Sequence, residues 1–373
     1  MREIYCKFLL GLAFTFAILP SNGQDADLSP TLFGVAKVKM ELSTDNGLYR
    51  FDVRNSRIGV KGNASERMNY AIQIDYNNEG NISILDSYVG YHAGGLVFKL
   101  GQQQINFSND LSHGPASSPF SNRSFLSKYI TTYFGTEVSG GVPSNYVKTM
   151  GSRDIGATIA YTIPNTIVKL SGGIFNGAGA NNPEWGDHVN FVGRLDLGDS
   201  KEGLCGAVSC YVGKTPTIVN AVQDTNDWYE DVVSQNIQMY DAYVGYTKGD
   251  LFLEAEYAQR RIDMDGLSLM QAYYIHGTYR IAINNSPIFK YFAPHLRWDR
   301  GQNVEYLDAV TNDIFHYTSN RMTYSMNFGL SEKRIRSELR LAFEDYFVKE
   351  KPADYKENML LHDKFTVEFV AAF

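Results

Sequence analysis

The stretch Lys364-Phe365-Thr366-Val367-Glu368-Phe369-Val370-Ala371-Ala372-Phe373 sets large apolar residues at every second position. In an extended chain successive side chains point to opposite faces. Phe365, Val367, Phe369, Ala371 and Phe373 therefore share one face, and Lys364, Thr366 and Glu368 share the other. The same period runs through the chain. Tyr70, Ile72, Ile74 and Tyr76 oppose Asn69, Gln73 and Asp75; Leu251, Leu253, Ala255 and Tyr257 oppose Glu254 and Glu256. Met322, Tyr324, Met326 and Phe328 oppose Thr323, Ser325 and Asn327; Leu339, Leu341 and Phe343 oppose Glu338, Arg340 and Glu344. A parallel sheet buried on both faces does not carry a charged face. A barrel wall with lipid outside and water inside does.

Composition agrees. The 373 residues include 22 Phe, 25 Tyr, 3 Trp and 33 Gly, with charged residues at 20%. That aromatic load excludes a disordered chain and is foreign to a coiled coil. A net charge of −7 argues against a basic nucleic-acid binder. At the start, Arg2 and Lys7 precede the apolar run Phe8–Leu19, and Ser21, Asn22 and Gly23 follow. This reads as a secretory signal peptide over 1–23, too short to span a bilayer. The rest, 24–373, reads as one barrel domain in a bacterial outer membrane.

The alternation predicts sixteen antiparallel strands: 32–42, 48–61, 67–77, 82–92, 94–103, 153–163, 166–175, 188–197, 203–213, 237–248, 250–260, 268–282, 288–300, 319–330, 334–347 and 361–373. An even number returns the chain to the side where it began, as single-chain bacterial barrels require. The connections support the register. Every second one is a short turn, such as Pro164-Asn165 or Gly249, while 104–152, 176–187, 214–236, 301–318 and 348–360 are long. Short periplasmic turns and long outer loops are the expected asymmetry.

The third outer connection, 104–152, is too long to be structureless in a compact domain without a function. Phe107, Phe120, Phe125, Tyr129, Tyr133, Phe134 and Tyr146 would not stay in water. Folding into the barrel buries them, and brings Arg123, Lys128 and Lys148 to the narrowest part of the lumen. A cap over the barrel mouth is the other arrangement.

Several segments resemble the phosphate-selective porin O and P family. Asp86-Ser87-Tyr88-Val89-Gly90-Tyr91 leads into Phe98-Lys99-Leu100-Gly101-Gln102, then Ile105-Asn106-Phe107-Ser108 and Asn122-Arg123-Ser124. Arg57-Ile58-Gly59-Val60-Lys61-Gly62 and Phe252-Leu253-Glu254-Ala255-Glu256-Tyr257 resemble two further family strands. Asn106 stands where the family often has Pro, and Asn122 where it often has Glu. The resemblance implies a 16-stranded trimeric channel whose phosphate-selective members line the constriction with Arg and Lys. Only Arg123 carries over by motif, and phosphate selectivity does not carry over with it.

On the predicted lumen face, Lys39, Arg50, Arg54, Lys99, Lys169, Arg194, Arg280, Arg297, Arg334, Arg336, Arg340 and Lys364 are balanced by acids such as Glu41, Asp52, Asp75, Asp86, Glu338 and Glu368. Selectivity needs a local excess of one sign. Arg334, Arg336 and Arg340 on one strand are the densest basic run, and pairing with neighbouring acids is the simpler fate for them. No catalytic motif, metal-ligand spacing or cofactor loop stands out. Cys205 and Cys210 fall on opposite faces of one strand and do not bridge. The sequence thus predicts a diffusion channel for small hydrophilic solutes or anions, phosphate among them. Its expected partner is outer-membrane lipid, and the resemblance implies assembly with two further copies of itself. A surface-binding barrel or a barrel enzyme is the alternative.

Overall fold

The computed structural model describes residues 28–53, 55–78, 81–131, 137–138, 146–147, 152–183, 185–223, 228–263, 269–307, 314–331, 337–349 and 362–373. The leader at 1–23 lies outside them, as do Arg54, Tyr133, Phe134, Lys148, Arg334 and Arg336.

Sixteen wall strands form one closed antiparallel barrel. They are β1 (Thr31–Ser43), β2 (Tyr49–Val53 and Arg57–Asn63), β3 (Met68–Asn78), β4 (Asn81–Ala93), β5 (Leu96–Gln104), β6 (Arg153–Thr162), β7 (Val168–Phe175) and β8 (Asn190–Leu197). The second half comprises β9 (Gly203–Gln223), β10 (Trp228–Lys248), β11 (Leu251–Ile262), β12 (Met270–Tyr279 and Ile281–Ala282), β13 (Tyr291–Leu307), β14 (Ile314–Gly329), β15 (Ser337–Lys349) and β16 (Lys364–Ala372). Each strand pairs with the next, and β16 returns to β1 with Lys39 opposite Glu368 and Val38 opposite Phe369. Closure removes the sheet edges that lipid could not solvate.

The side chains are inside out by the standard of a soluble protein. On β16, Phe369 is 54% exposed while Glu368 is 1% exposed. Phe365 and Phe369 belong to the lipid-facing surface, and Lys364, Thr366 and Glu368 to the interior. The opening stretch thus takes the faces its alternation predicted. Cys205 is buried, Cys210 is exposed, and both are free thiols.

Two stretches expected as loops, 214–236 and 301–318, are largely strand. The β9–β10 ladder runs from Gly203 opposite Thr247 to Gln223 opposite Trp228, with a bulge between Ile218 and Asn220. The β13–β14 ladder reaches Leu307 opposite Ile314. A two-stranded ribbon keeps its backbone bonds beyond the bilayer, and Thr215, Thr217, Ile218, Val232 and Val233 favour it. Polar composition there was a sign of water outside rather than of irregular backbone. The outer rim is therefore tall at β9–β10 and β13–β14 and low at the β1–β2 turn.

A second departure lies in β2. Asn55 has a φ of 55° between its two pieces. Left-handed backbone of this kind suits Asn and breaks the pleat. Arg50 and Asp52 face inward before the break; Arg57 is buried after it. The parity of inward residues switches from even to odd numbers across the break.

Candidate functional site

The chain leaves β5 at Gln104 and turns into the barrel. Ile105, Phe107, Phe120, Phe125, Leu126, Tyr129 and Ile130 are all buried. Ser108 caps a short helix, Asn109–Ser112, by accepting from the Leu111 N–H at 3.3 Å. The helix N-terminus meets Glu256 on β11, whose carboxylate accepts from the N–H groups of Asn109 at 2.6 Å and Asp110 at 2.8 Å. Tyr274 donates to Glu256 at 2.8 Å and to Glu254 at 3.0 Å. Glu254 also holds His276 at 2.9 Å and His113 of the loop at 3.3 Å. Burial disfavours the charged form of His113, but Glu254 outweighs it and raises the pKa of His113 above the ordinary histidine value.

The rest of the loop is tied to the wall strands by the same means. The Phe107 carbonyl accepts from Arg194 of β8 at 3.3 Å and from the Ser209 hydroxyl of β9. The Pro119 carbonyl accepts from Asn327 of β14 at 2.9 Å, and the Ala116 carbonyl from Arg340 of β15 at 3.2 Å. Asn122 accepts from Lys39 of β1 at 3.0 Å and donates to Glu344 at 2.9 Å. Asn106 donates to Ser171 of β7 at 2.7 Å. Asn106 and Asn122 are thus polar anchors. Hydrogen bonds to charged partners contribute about 1.5–3 kcal/mol each, and removing one partner of a buried pair costs more than making it gains. The backbone continues upward, with Tyr146–Val147 paired to β9 and Glu137–Val138 parallel to β13.

These bonds tie residues 106–125 to the arc from β7 round to β1. Strands β2 to β6 face the loop from the other side. There Arg57 donates to Asp75 at 3.1 Å and to Asn55 at 3.1 Å. Arg153, at the start of β6, lies 3.5 Å from Asp86. Arg57 is within electrostatic reach of both Arg153 and Arg123. Arg123 itself is half-buried and donates to the Asp110 carbonyl at 3.0 Å. Three guanidiniums from a loop and two wall strands therefore converge, against the carboxylates of Asp75 and Asp86. Further down β5, Lys99 sits 4.6 Å over the ring of Tyr88.

Several of the other expected lumen cations are committed to partners. Arg340 is held by Glu338 at 2.8 Å and Glu368 at 3.1 Å, Arg297 by Asp299 at 3.0 Å, and Arg50 by Glu41 at 2.6 Å. Lys128 lies over Tyr129 at 4.6 Å and donates to its hydroxyl at 3.1 Å. Sequence reasoning passed over Arg57, Arg153 and Arg321. Arg321 shares its parity with Thr323 and Ser325, so its inward direction was there to be read. Arg57 was hidden by the break at Asn55.

The family described as phosphate-selective porin O and P matches residues 38–195, which include β2 to β7 and the whole third loop. The chain folds as an outer-membrane porin barrel. Among solved structures, this porin barrel is similar to the loop L8 deletion mutant of OmpT from Vibrio cholerae, at 11% identity and a TM-score of 0.61, covering 93% of this chain and 100% of that one. OmpT in its trimer form gives 12% identity and a TM-score of 0.59, covering 92% and 99%. The anion-selective porin from Comamonas acidovorans gives 13% and 0.59, covering 92% and 99%. No curated protein matches the sequence.

Proposed function

We propose that the protein is a bacterial outer-membrane channel for passive diffusion of small hydrophilic solutes, with a weak preference for anions. The loop 104–152 forms its constriction, and the path runs between Arg123 and the wall arginines Arg57 and Arg153. The observation that carries this reading is their convergence from three separate elements. Like charges repel, so guanidiniums gathered from three separate elements suit something negatively charged that enters from water. Guanidiniums present forks of donors suited to carboxylate and phosphate oxygens. Lys99 continues the basic side below them.

The preference is weak because the carboxylates of Asp75 and Asp86 stand beside the guanidiniums. Phosphate passes as one anion among others. The family match and the likeness to an anion-selective porin support the channel reading. Nothing in this reading transforms a solute, so the protein acts as a pore and not as an enzyme. It works as a homotrimer in the outer membrane, consistent with the trimer form of the Vibrio cholerae relative.

Planar-bilayer conductance tests this. The purified barrel should give ohmic steps, and a salt gradient should give a reversal potential on the anion side. Arg123→Ala should move that potential toward cations while the barrel keeps its heat-dependent gel mobility. A barrel that conducts nothing, or one whose selectivity ignores Arg123, would overturn the proposal.

A further inference from the structure

We infer that Arg321 is a positioning residue for the constriction, acting through the backbone of the loop to aim Arg123. This rests on the reading that the path runs past Arg123. Arg321 is almost wholly buried, with its side chain 3% exposed, so it meets no solute. Every one of its donors is used. Nε and Nη2 bond Asp299 at 3.2 and 3.0 Å, and Nη1 bonds Glu344 at 2.9 Å and the Tyr346 hydroxyl at 3.0 Å. Its remaining Nη2 donor goes to the loop, reaching the carbonyl of Arg123 at 2.6 Å. Two rings flank the guanidinium, Phe125 at 4.7 Å and Tyr346 at 5.4 Å.

The partner of Arg321 completes the grip. Asp299 accepts from the Phe125 N–H at 3.0 Å. The carbonyl of Arg123 and the N–H of Phe125 bracket a single residue, Ser124, and one ion pair holds both. Ser124 donates to Asp110 at 2.6 Å, and Arg297 donates to the Asn122 carbonyl at 3.2 Å. With the Asn122 and Arg123 carbonyls both held, the peptide planes on either side of Arg123 are fixed, and so is the direction in which its side chain leaves the backbone. A loop that merely filled the barrel would need apolar packing, which Phe107, Phe120 and Leu126 already supply. The fork adds orientation.

The test compares Arg321→Gln and Arg321→Lys with wild type and Arg123→Ala. Anion-to-cation permeability is measured in planar bilayers, and amide exchange of the peptide containing Ser124 and Phe125 is measured on the purified barrel. In Arg321→Gln, with Arg123 intact, permeability should move at least halfway to the Arg123→Ala value. Exchange of those amides should quicken by about tenfold, as local opening becomes easier. Arg321→Lys keeps the charge that balances Asp299 and Glu344 but loses the fork, and should fall between. If Arg321→Gln fails to assemble, Arg321→Lys decides alone. Wild-type permeability and exchange in the Arg321 variants, while Arg123→Ala shifts permeability, would overturn the inference and leave the channel reading intact. If Arg123→Ala shifts nothing, the channel reading fails by itself; exchange then decides the clamp, wild-type rates refuting it and faster rates supporting it.

Discussion

Replacing Arg153 by Gln removes one of the three converging charges and leaves its Asp86 partner in place. Arg57 pairs with Asp75 and Arg153 with Asp86, and Arg57 feels both Arg153 and Arg123. Each neutralisation lowers the positive charge of the eyelet by one, and the double change Arg57→Gln with Arg153→Gln lowers it by two. An ion passing about 6 Å from a guanidinium in a water-like dielectric feels roughly 0.7 kcal/mol. Screening at about 0.1 M salt, where the Debye length is ~10 Å, reduces this to roughly 0.4 kcal/mol. Anions lose that much and cations gain it, so the permeability ratio falls roughly fourfold per arginine. At about 1 M, where the Debye length is ~3 Å, the same charge is worth a factor of roughly 1.4. The Arg153–Asp86 contact is largely buried, so heat-dependent gel mobility is read alongside to show that each variant barrel still assembles. The assay is the reversal potential in dilute and concentrated salt gradients. An anion preference that survives the double change, or a shift as large in concentrated as in dilute salt, would refute a charge-based eyelet.

Three further outcomes follow from the same structure. Epitope tags at the β9–β10 or β13–β14 hairpin tips should be reachable on intact cells, and tags at Pro164-Asn165 should not; the reverse would invert the topology. At the seam, Gly34 bonds Phe373 through both backbone groups, at 2.9 and 3.1 Å, and a Cβ on Gly34 would lie 2.5 Å from the Phe373 ring. Gly34→Val should cost about 1–3 kcal/mol and lower the temperature at which gel mobility changes, and deleting Phe373 should block assembly; wild-type behaviour in both would show the seam is not held there. The raised pKa of His113 means its contact with Glu254 is fully present below the ordinary histidine value of about 6.5 and fades as pH rises through the raised one. Amide exchange at Asn109–His113, corrected for intrinsic rates, should therefore loosen with rising pH in wild type and stay flat in His113→Ala; equal slopes would reject the contact as an anchor.

The wall was readable because lipid and water impose opposite demands on alternate residues, and a period of two survives wherever the pleat does. Phe365, Glu368 and Phe369 follow it, and so does Arg321, had its parity been carried one step past Thr323. It fails where the pleat fails. Asn55 takes left-handed backbone and shifts every later residue of β2, so Arg57 was not read as a lumen arginine. Charge inside the barrel raises a different obstacle. Parity says that Arg297, Arg340 and Arg50 face inward, but facing inward is not the same as facing a solute. Whether a cation is spent on a carboxylate or left to the pore depends on which strands the closed sheet makes neighbours, and on where the loop lies. Glu368 takes Arg340 because β16 pairs with β15, and Asp299 takes Arg297 on its own strand. Arg57 and Arg153 lie far apart in sequence, with Arg123 between them. Nothing in their spacing unites them until β2 to β6 curve round and the loop returns between them. Selectivity in such a barrel is therefore a property of the charges that the loop's anchors leave over, and that remainder is set by closure rather than by any one motif.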